Sequence, residues 1–522
     1  MELQKLIAEG YLPDEIIPSF NTTTFSNNLS ALFSAKTCRF TLPKSTENNL
    51  ISFSTPKIRN YRRHLAIPHP LYYLLLSNEI SENWDDIVET CSQSHLSVSQ
   101  LLYNTNSKRA IDKPNFEKFI ENRIVNATGA RYIFKADISK CYDSIDISCL
   151  MKLPRNVRKS FANICTISKK MQGGSEISLP IGPDTSRILS EVILSAIDKE
   201  LQDSIPDLKG LRIVDDYYLY FETLNKVEEA GSTFQQILKK FRLSLNQNKE
   251  RVYELPEIIE DKWLAEMREF KFRESEVSQR TDIITYFDKA IYYSNQYPED
   301  FVLSYALGRL VKTEIHLSNW TLLQSLLFNC LTIESKIINY IAEFIIDYHP
   351  FANKNDEKIL ILGLGNFLLH HLKLNNDYEI LWSLWLFKHL KLKLPSKVLK
   401  ELEKNTNPFV IILAIDLHHS NLADLKISQW KKYCHKKHLY TEYWILAYEA
   451  ERNNWFKDLT YLAEDPFFST LKNQAVSFYD NTANLNKTEH SGESSAYSLA
   501  QFSSKAASTE KMLVGNDEDA TF

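Results

Sequence analysis

Three aspartates in two distant segments have the clearest potential for chemistry. Asp137 ends an apolar run at 132–136, and Asp215 and Asp216 interrupt a second apolar run at 211–221. A carboxylate buried in such a run is costly unless something pairs with it, so we expect the adjacent pair at the tip of a hairpin, facing a cleft. Three converging carboxylates repel one another, and divalent cations relieve that repulsion. Hard oxygen ligands select Mg²⁺ or Mn²⁺, and two such ions can activate a 3′-hydroxyl and stabilise a leaving pyrophosphate.

The two adjacent aspartates are not expected to act equally. Neighbouring residues of a strand point to opposite faces, so one of the pair should be the better ligand, and we predict Asp215. The predicted metal-binding set is Asp137, Ile138, Asp215 and Asp216. Two adjacent aspartates alone are typical of a solvated turn, so the interpretation depends on further motifs at compatible spacing.

Two such motifs lie between and after the aspartates. The segment 179–186 reads LPIGPDTS and leads into 186–201, whose apolar residues have helical spacing. A turn followed by a helix can form the floor under a nucleotide and a template base, and Gly182 and Ser186 are the predicted nucleotide contacts. Lys249 ends the segment LSLNQNK; it could protonate a departing pyrophosphate, or it could be a surface lysine.

Periodicity predicts the elements that must position these residues. Strands are expected at 131–137 and 211–221, and a helix at 71–80. After residue 258 strand signals fade, and amphipathic helices follow one another to about residue 480. This part is either an irregular helical domain or a stack of degenerate helical pairs. The clearest helical segments in it are 320–331, 337–348, 359–372, 380–392 and 409–417.

Length and composition restrict the class of protein. The chain has 522 residues, which suggests two to four domains, and 44% hydrophobic residues, which fits a globular protein. Its net charge is −5, so nucleic acid must be bound by a local basic patch such as 56–64. Seven cysteines without a C-x-x-C pair indicate reduced thiols. We expect a cytoplasmic protein without a membrane segment, ending in a polar tail at 481–522.

The motifs together resemble those of reverse transcriptases. DISKCY from Asp137, LPIGPDTS at 179–186, IVDD at 213–216 and LNQNK at 245–249 are similar to motifs A, B, C and D of that family. The resemblance implies an α+β protein, with right-hand fingers and palm followed by an all-α helical-repeat domain. The expected domains are an N-terminal segment with fingers, the palm, the helical-repeat domain and the tail, at 1–130, 131–257, 258–480 and 481–522.

The resemblance also implies roles for individual residues. It makes the three aspartates and Lys249 catalytic. It places Tyr142 under the sugar of the incoming nucleotide, where a large side chain excludes a 2′-hydroxyl and predicts dNTPs as substrates. It places Arg59, Arg62 and Arg63 where the fingers grip the triphosphate, a task that suits the forked donors of arginine. A solvated basic loop is the alternative for these arginines.

Departures from the general pattern narrow the resemblance. Ile213 replaces the usual aromatic residue before the paired aspartates, Ile181 replaces a common glutamine of motif B, and Arg187 stands where proline often occurs. This pattern is most similar to bacterial abortive-infection and defence-associated reverse transcriptases, whose core is retron-like and precedes a domain of helical repeats.

The narrower resemblance implies an antiphage DNA polymerase. It implies synthesis without a template, a DNA product attached to the protein's own tyrosine, and a homo-oligomer. Tyr11, Tyr61 and Tyr497 are candidate primers because they lie on loop-like segments. Two alternatives stay open: a templated, retron-like RNA-directed DNA polymerase, and a catalytically inactive scaffold with a polymerase fold.

Overall fold

The computed structural model describes most of the chain. The described residues are 2–34, 50–58, 61–98, 110, 116–153, 155–172 and 178–485. Arg59, Tyr497 and most of the predicted tail therefore lie outside the described residues.

Helices dominate the described residues, whose strands form two small sheets. The strands are β1 (Ile51–Ile58), β2 (Tyr61–Ile67), β3 (Tyr132–Asp137), β4 (Lys209–Ile213), β5 (Asp216–Phe221) and β6 (Arg251–Glu254). The helices up to the end of the second sheet are α1 (Glu2–Glu9), α2 (Thr23–Asn27), α3 (Leu29–Ser34), α4 (Pro70–Glu82), α5 (Trp84–Ser92), α6 (Phe116–Ala127), α7 (Cys141–Ser144), α8 (Arg155–Met171), α9 (Asp184–Ser204) and α10 (Leu224–Lys240).

The helices that follow are α11 (Lys262–Glu269), α12 (Glu276–Gln296), α13 (Val302–Leu310), α14 (Trp320–Leu331), α15 (Ile338–Tyr348), α16 (Lys354–Leu374), α17 (Asp377–His389), α18 (Ser396–Leu402), α19 (Pro408–His419), α20 (Trp444–Arg452) and α21 (Pro466–Asn473). The predicted mixture of helix and sheet is confirmed. The arrangement into fingers, palm and helical repeats stays a prediction, as do the expected domain boundaries.

The four-stranded sheet carries the aspartates. Its order is β4-β5-β3-β6, and β3 pairs antiparallel with both β5 and β6. β3 is buried along most of its length because its residues are apolar apart from Lys135 and Asp137. Helix α10 packs against β3, and Phe234 of α10 meets Tyr217 of β5 with ring centroids 4.6 Å apart.

The chain forms two compact units, and the first contains this sheet. It comprises the described parts of 1–55, 63–257 and 368–485. Within it, the late helices pack against the start of the chain. The indole of Trp385 in α17 donates to Ser19 Oγ at 3.1 Å, and Phe20 pairs with Tyr479 in an isolated β-bridge. Burial of these aromatic rings stabilises the contact between segments more than 360 residues apart.

The second unit is helical over 258–367 and also includes the described part of 56–62. Its helices pack through apolar faces and a few buried polar contacts. Trp320 at the start of α14 stacks on Tyr348 at the end of α15, with ring centroids 4.8 Å apart. The hydroxyl of Thr321 donates to Asp356 Oδ1 at 2.6 Å.

Local sequence periodicity located the helices well. The helix expected at 320–331 spans those residues, and the helix expected at 186–201 spans Asp184–Ser204. The run expected as one strand at 211–221 is instead two strands joined by a turn, which places the paired aspartates at a hairpin tip as predicted. No helix among the described residues is both long enough and apolar enough to cross a bilayer.

Candidate active site

The antiparallel pairing of β3 with β5 brings the three aspartates together. Asp137 at the end of β3 is the register partner of Asp216 at the start of β5, and Asp215 lies in the adjoining turn. One ligand oxygen from each carboxylate lies within 4.8 Å of the others. Asp137 is buried, whereas Asp215 and Asp216 are half-buried. This is the convergence that the sequence predicted from residues almost 80 positions apart.

The turn that carries Asp215 has an unusual backbone. Ile213 pairs with Asp216, so Val214 and Asp215 form a two-residue loop. Such loops favour a positive φ at the first position, which glycine or asparagine adopts most readily. Val214 occupies it with φ of 55°, a conformation that is strained for a β-branched residue. The N–H of Ile138 donates to Asp215 O at 3.3 Å, which fixes the second half of the turn against β3.

Two side chains from the segment after α10 contact Asp137. Lys249 Nζ donates to Asp137 Oδ1 at 3.2 Å, and Asn246 Nδ2 donates to Oδ2 at 2.9 Å. Burial lowers the pKa of Lys249, but the charges of Asp216 and Asp137 outweigh it, so the pKa rises above its ordinary value. Lys249 is therefore held as a cation beside the carboxylates.

The charge in the cluster is not balanced by this lysine. Burial raises the pKa of Asp216 well above its usual range, and the charges of Asp215 and Asp137 raise it further. A site that disfavours its own ionised form is one that a divalent cation would stabilise. Converging carboxylate oxygens are also the ligands that Mg²⁺ and Mn²⁺ prefer. Asp137, Asp215 and Asp216 thus fit a divalent metal. The aliphatic side chain of Ile138 has no ligand atom, so this residue could contribute only its backbone carbonyl.

A buried arginine also contacts the turn. The Nη2 and Nη1 atoms of Arg212 donate to the two carboxylate oxygens of Glu191 at 2.7 and 3.0 Å, and Nε donates to Asp198 Oδ2 at 2.8 Å. Its Nη1 also donates to Val214 O at 2.8 Å. The side chain of Arg212 is fully buried.

Sequence reasoning gave Arg212 no role, although a signal was present. Glu191 and Asp198 are seven residues apart in a helix, hence on one face, and that face also carries apolar residues that are buried. Two buried acids on one helix face favour a buried cation between them, because an unpaired buried charge is costly. Arg212 is a charged residue inside an apolar strand and so was the candidate.

The loop before α9 lies close to the N-terminal segment and β2. Gly182 has φ of 130°, and a Cβ there would lie 2.9 Å from Pro13 Cγ. The backbone N–H of Asp184 donates to Gly10 O at 3.0 Å. Ser186, a predicted nucleotide contact, is buried at the start of α9. The close approach of the N-terminal segment explains why glycine occupies position 182.

Tyr142 lies between the first aspartate and α9. Its hydroxyl accepts a hydrogen bond from Ser190 Oγ at 3.4 Å, and its carbonyl accepts one from Leu179 N at 3.1 Å. Burial raises the pKa of Tyr142 to about 12, so the hydroxyl is neutral at physiological pH. The side chain is half-buried, with its position fixed by α9.

The predicted triphosphate-binding arginines are only partly described. Arg59 lies outside the described residues, and Arg62 is half-buried on β2. Arg63 forms an ion pair with Glu15 of the N-terminal segment. A phosphate would therefore compete with Glu15 for this guanidinium.

Comparison with known proteins identifies the domain that contains this site. Residues 84–304 match the family described as reverse transcriptase (RNA-dependent DNA polymerase). This range includes all three aspartates, Arg212 and Lys249. No curated protein matches the chain.

Solved structures of telomerases are similar to parts of the chain. The telomerase of Candida tropicalis truncated from its C-terminal domain is 15% identical over 46% of this chain and 56% of its own, with a TM-score of 0.30. The apo telomerase of the same organism is 12% identical over 70% and 73%, with a TM-score of 0.33. The telomerase of Candida albicans in complex with a fragment of telomeric RNA is 13% identical over 67% and 56%, with a TM-score of 0.25. The chain thus spans little more than half the length of the first and third of these structures.

The match of 84–304 and the carboxylate cluster inside it agree on the class of enzyme: the chain carries a nucleotidyltransferase domain of the reverse transcriptase type.

Proposed function

We propose that the chain polymerises dNTPs and that Asp137, Asp215 and Asp216 hold its catalytic metal ions. The observation that carries the proposal is the approach of the three carboxylates to within 4.8 Å at the end of β3. Two divalent ions bound there would supply activation of a 3′-hydroxyl and stabilisation of the leaving pyrophosphate. Asp137 and Asp215 would bind from the strand end and the hairpin turn, so the site forms only when both segments are in register.

Other side chains of the chain would orient the nucleotide and move a proton. Lys249 is a cation beside Asp137 and would donate its proton to pyrophosphate as that group leaves. Tyr142, fixed by Ser190, would lie under the sugar and exclude a 2′-hydroxyl, which selects dNTPs. Gly182 and Ser186 would line the floor of the site, and Arg59, Arg62 and Arg63 would bind the triphosphate.

We further propose that this polymerase acts in antiphage defence, as a cytoplasmic homo-oligomer that makes DNA without a template and primes it from its own tyrosine. The proposal is supported by the motif departures at Ile181 and Ile213. Among the candidate primers, Tyr61 has 73% of its surface exposed, which suits attack on a nucleotide. Tyr11 is fully buried and donates to Pro68 O, which counts against it. Tyr497 lies outside the described residues.

Purified protein incubated with Mg²⁺ or Mn²⁺ and dNTPs, without nucleic acid, tests the proposal. We expect long DNA that partitions with protein into phenol, and we expect Tyr61→Phe to shorten or abolish it if Tyr61 primes. Strict dependence on added template and primer would instead support a retron-like templated enzyme. Absence of synthesis under both conditions, together with phage defence that survives Asp215→Asn, would support an inactive scaffold.

A further inference from the structure

Arg212 connects α9 to the turn that presents Asp215. Its guanidinium is held by Glu191 and Asp198, and the same group donates to Val214 O at 2.8 Å. The backbone of Arg212 is also fixed, because its N–H donates to Leu96 O at 2.6 Å and its carbonyl accepts from Val98 N at 2.9 Å. The arginine is therefore immobilised on both its main chain and its side chain.

The carboxylates that hold Arg212 have further partners of their own. Asp198 accepts from the hydroxyls of Ser94 and Tyr217 at 2.6 and 2.9 Å, and Glu191 accepts from Ser97 Oγ at 2.7 Å. A buried polar network whose members are satisfied in this way is rigid. Among the described residues, the network contacts the turn directly through the hydrogen bond from Arg212 to Val214 O, and it contacts β5 through Tyr217.

The turn needs such a restraint. Val214 has φ of 55°, a conformation that is strained for a β-branched residue. Without a restraint, the valine would favour negative φ and the Asp215 carboxylate would turn away from Asp137. A hydrogen bond from a charged donor to the valine carbonyl offsets that preference.

We propose that Arg212 is a positioning residue that holds Val214 in its left-handed conformation and thereby aims Asp215 at the metal. Arg212 touches neither metal nor substrate in this assignment. The inference rests on the proposed metal-binding function of the three aspartates.

The matched control is a second buried arginine beside the same sheet. Arg123 is buried, forms an ion pair with Glu257 and lies over the ring of Tyr218 of β5 at 5.3 Å. Glu257 also pairs with Lys135. No hydrogen bond recorded for Arg123 among the described residues reaches the Val214–Asp215 turn. Arg123→Lys therefore perturbs a comparable network without releasing the turn.

Mn²⁺ binding to the full chain without nucleotide, measured by the electron paramagnetic resonance of free Mn²⁺, tests the inference. We expect Arg212→Lys to keep the buried charge but weaken Mn²⁺ binding about tenfold, as loss of a residue supporting a metal ligand does, and Arg123→Lys to leave it unchanged. Val214→Gly added to Arg212→Lys should restore binding, because glycine adopts positive φ without help.

Each outcome of this experiment decides one question. Equal binding by wild type and Arg212→Lys, an equal loss in Arg123→Lys, or no rescue by Val214→Gly would overturn the positioning role. Wild-type protein that binds no Mn²⁺ would overturn the metal-binding function itself. If Arg212→Lys fails to fold, the same comparison can be made between Glu191→Gln and Glu257→Gln. We then expect weaker Mn²⁺ binding only in Glu191→Gln.

Discussion

Two groups of acidic side chains lie near one hairpin turn, and their charges are neutralised differently. Glu191 and Asp198 surround Arg212, which is fully buried with them. Asp137, Asp215 and Asp216 face one another, and the lysine that contacts Asp137 is 43% exposed. The first group contains its own cation, Arg212, whereas the second could hold a cation from solution.

The pKa shifts follow this difference for Glu191 and Asp216 but not for Asp198. Burial tends to raise the pKa of Glu191, but Arg212 and its hydrogen bonds lower it on balance. For Asp198 burial outweighs Arg212, and the pKa is raised. The pKa of Asp216 is raised well above its usual range by burial and by two neighbouring carboxylates. Arg212 therefore favours the ionised form of Glu191, whereas mutual repulsion disfavours the ionised form of Asp216 until a cation binds.

The largest expected effect is on catalysis. Asp215→Asn removes a charged metal ligand, and we expect nucleotide incorporation to fall at least about a thousandfold, which corresponds to about 4 kcal/mol in the activation barrier. Incorporation of labelled dNTPs is the measurement. Asp203→Asn is the control, since Asp203 is an exposed aspartate of α9 paired with Lys199. Retained incorporation in Asp215→Asn would remove the distinction between the two acidic groups.

Glu334, a buried acid in the second unit, shows how burial alone changes the pKa of a carboxyl group that, among the described residues, has no second carboxylate beside it to repel it. Glu334 accepts a hydrogen bond from Ser304, and burial raises its pKa from 4.5 to about 7. The folded protein then holds a proton that the unfolded chain releases between these values. The stabilisation that comes from this bound proton is therefore greatest below about pH 4.5. It decreases as the pH rises to about 7, by up to about 3 kcal/mol.

Glu334→Gln removes this titration. We expect the variant to gain stability relative to wild type as the pH rises from 5 to 8, by about 2 kcal/mol after some relaxation of the buried site. Calorimetric unfolding of both proteins at each pH measures the difference. If the two unfolding free energies differ by the same amount at every pH in that range, Glu334 is charged in the folded state. It would then resemble the carboxylates beside Arg212.

Metal binding should stabilise the cluster that lacks an arginine. At a concentration about ten times its dissociation constant, Mg²⁺ should add roughly 1.4 kcal/mol to the free energy of unfolding. Thermal unfolding with and without Mg²⁺ measures the shift. We expect the shift in wild type and in Arg123→Lys, but a much smaller one in Asp215→Asn. Equal shifts in all three would mean that Mg²⁺ binds elsewhere.

The smallest effect concerns the lysine of the cluster. Without metal, Lys249→Met removes a cation beside Asp137 and should lower stability by about 0.5–1 kcal/mol, since the pair is only partly buried. Lys226→Met, which breaks an exposed pair with Glu222, is the control and should change stability by less. Unchanged stability in Lys249→Met would indicate that the lysine does not relieve the repulsion.

The sequence by itself was enough to predict that the three aspartates converge, to recognise the order of the motifs and to locate most helices. Helices such as α14 are encoded locally, because apolar residues recur with the period of one helical turn. The tertiary structure decided which distant residues meet. Contacts between segments far apart in the chain bury Tyr11 and join Trp385 to Ser19 by a hydrogen bond. Such contacts also pair Arg212 with Glu191 of α9. No local pattern specifies such contacts, since they form only when long-range packing repays the entropy of closing the loops between them.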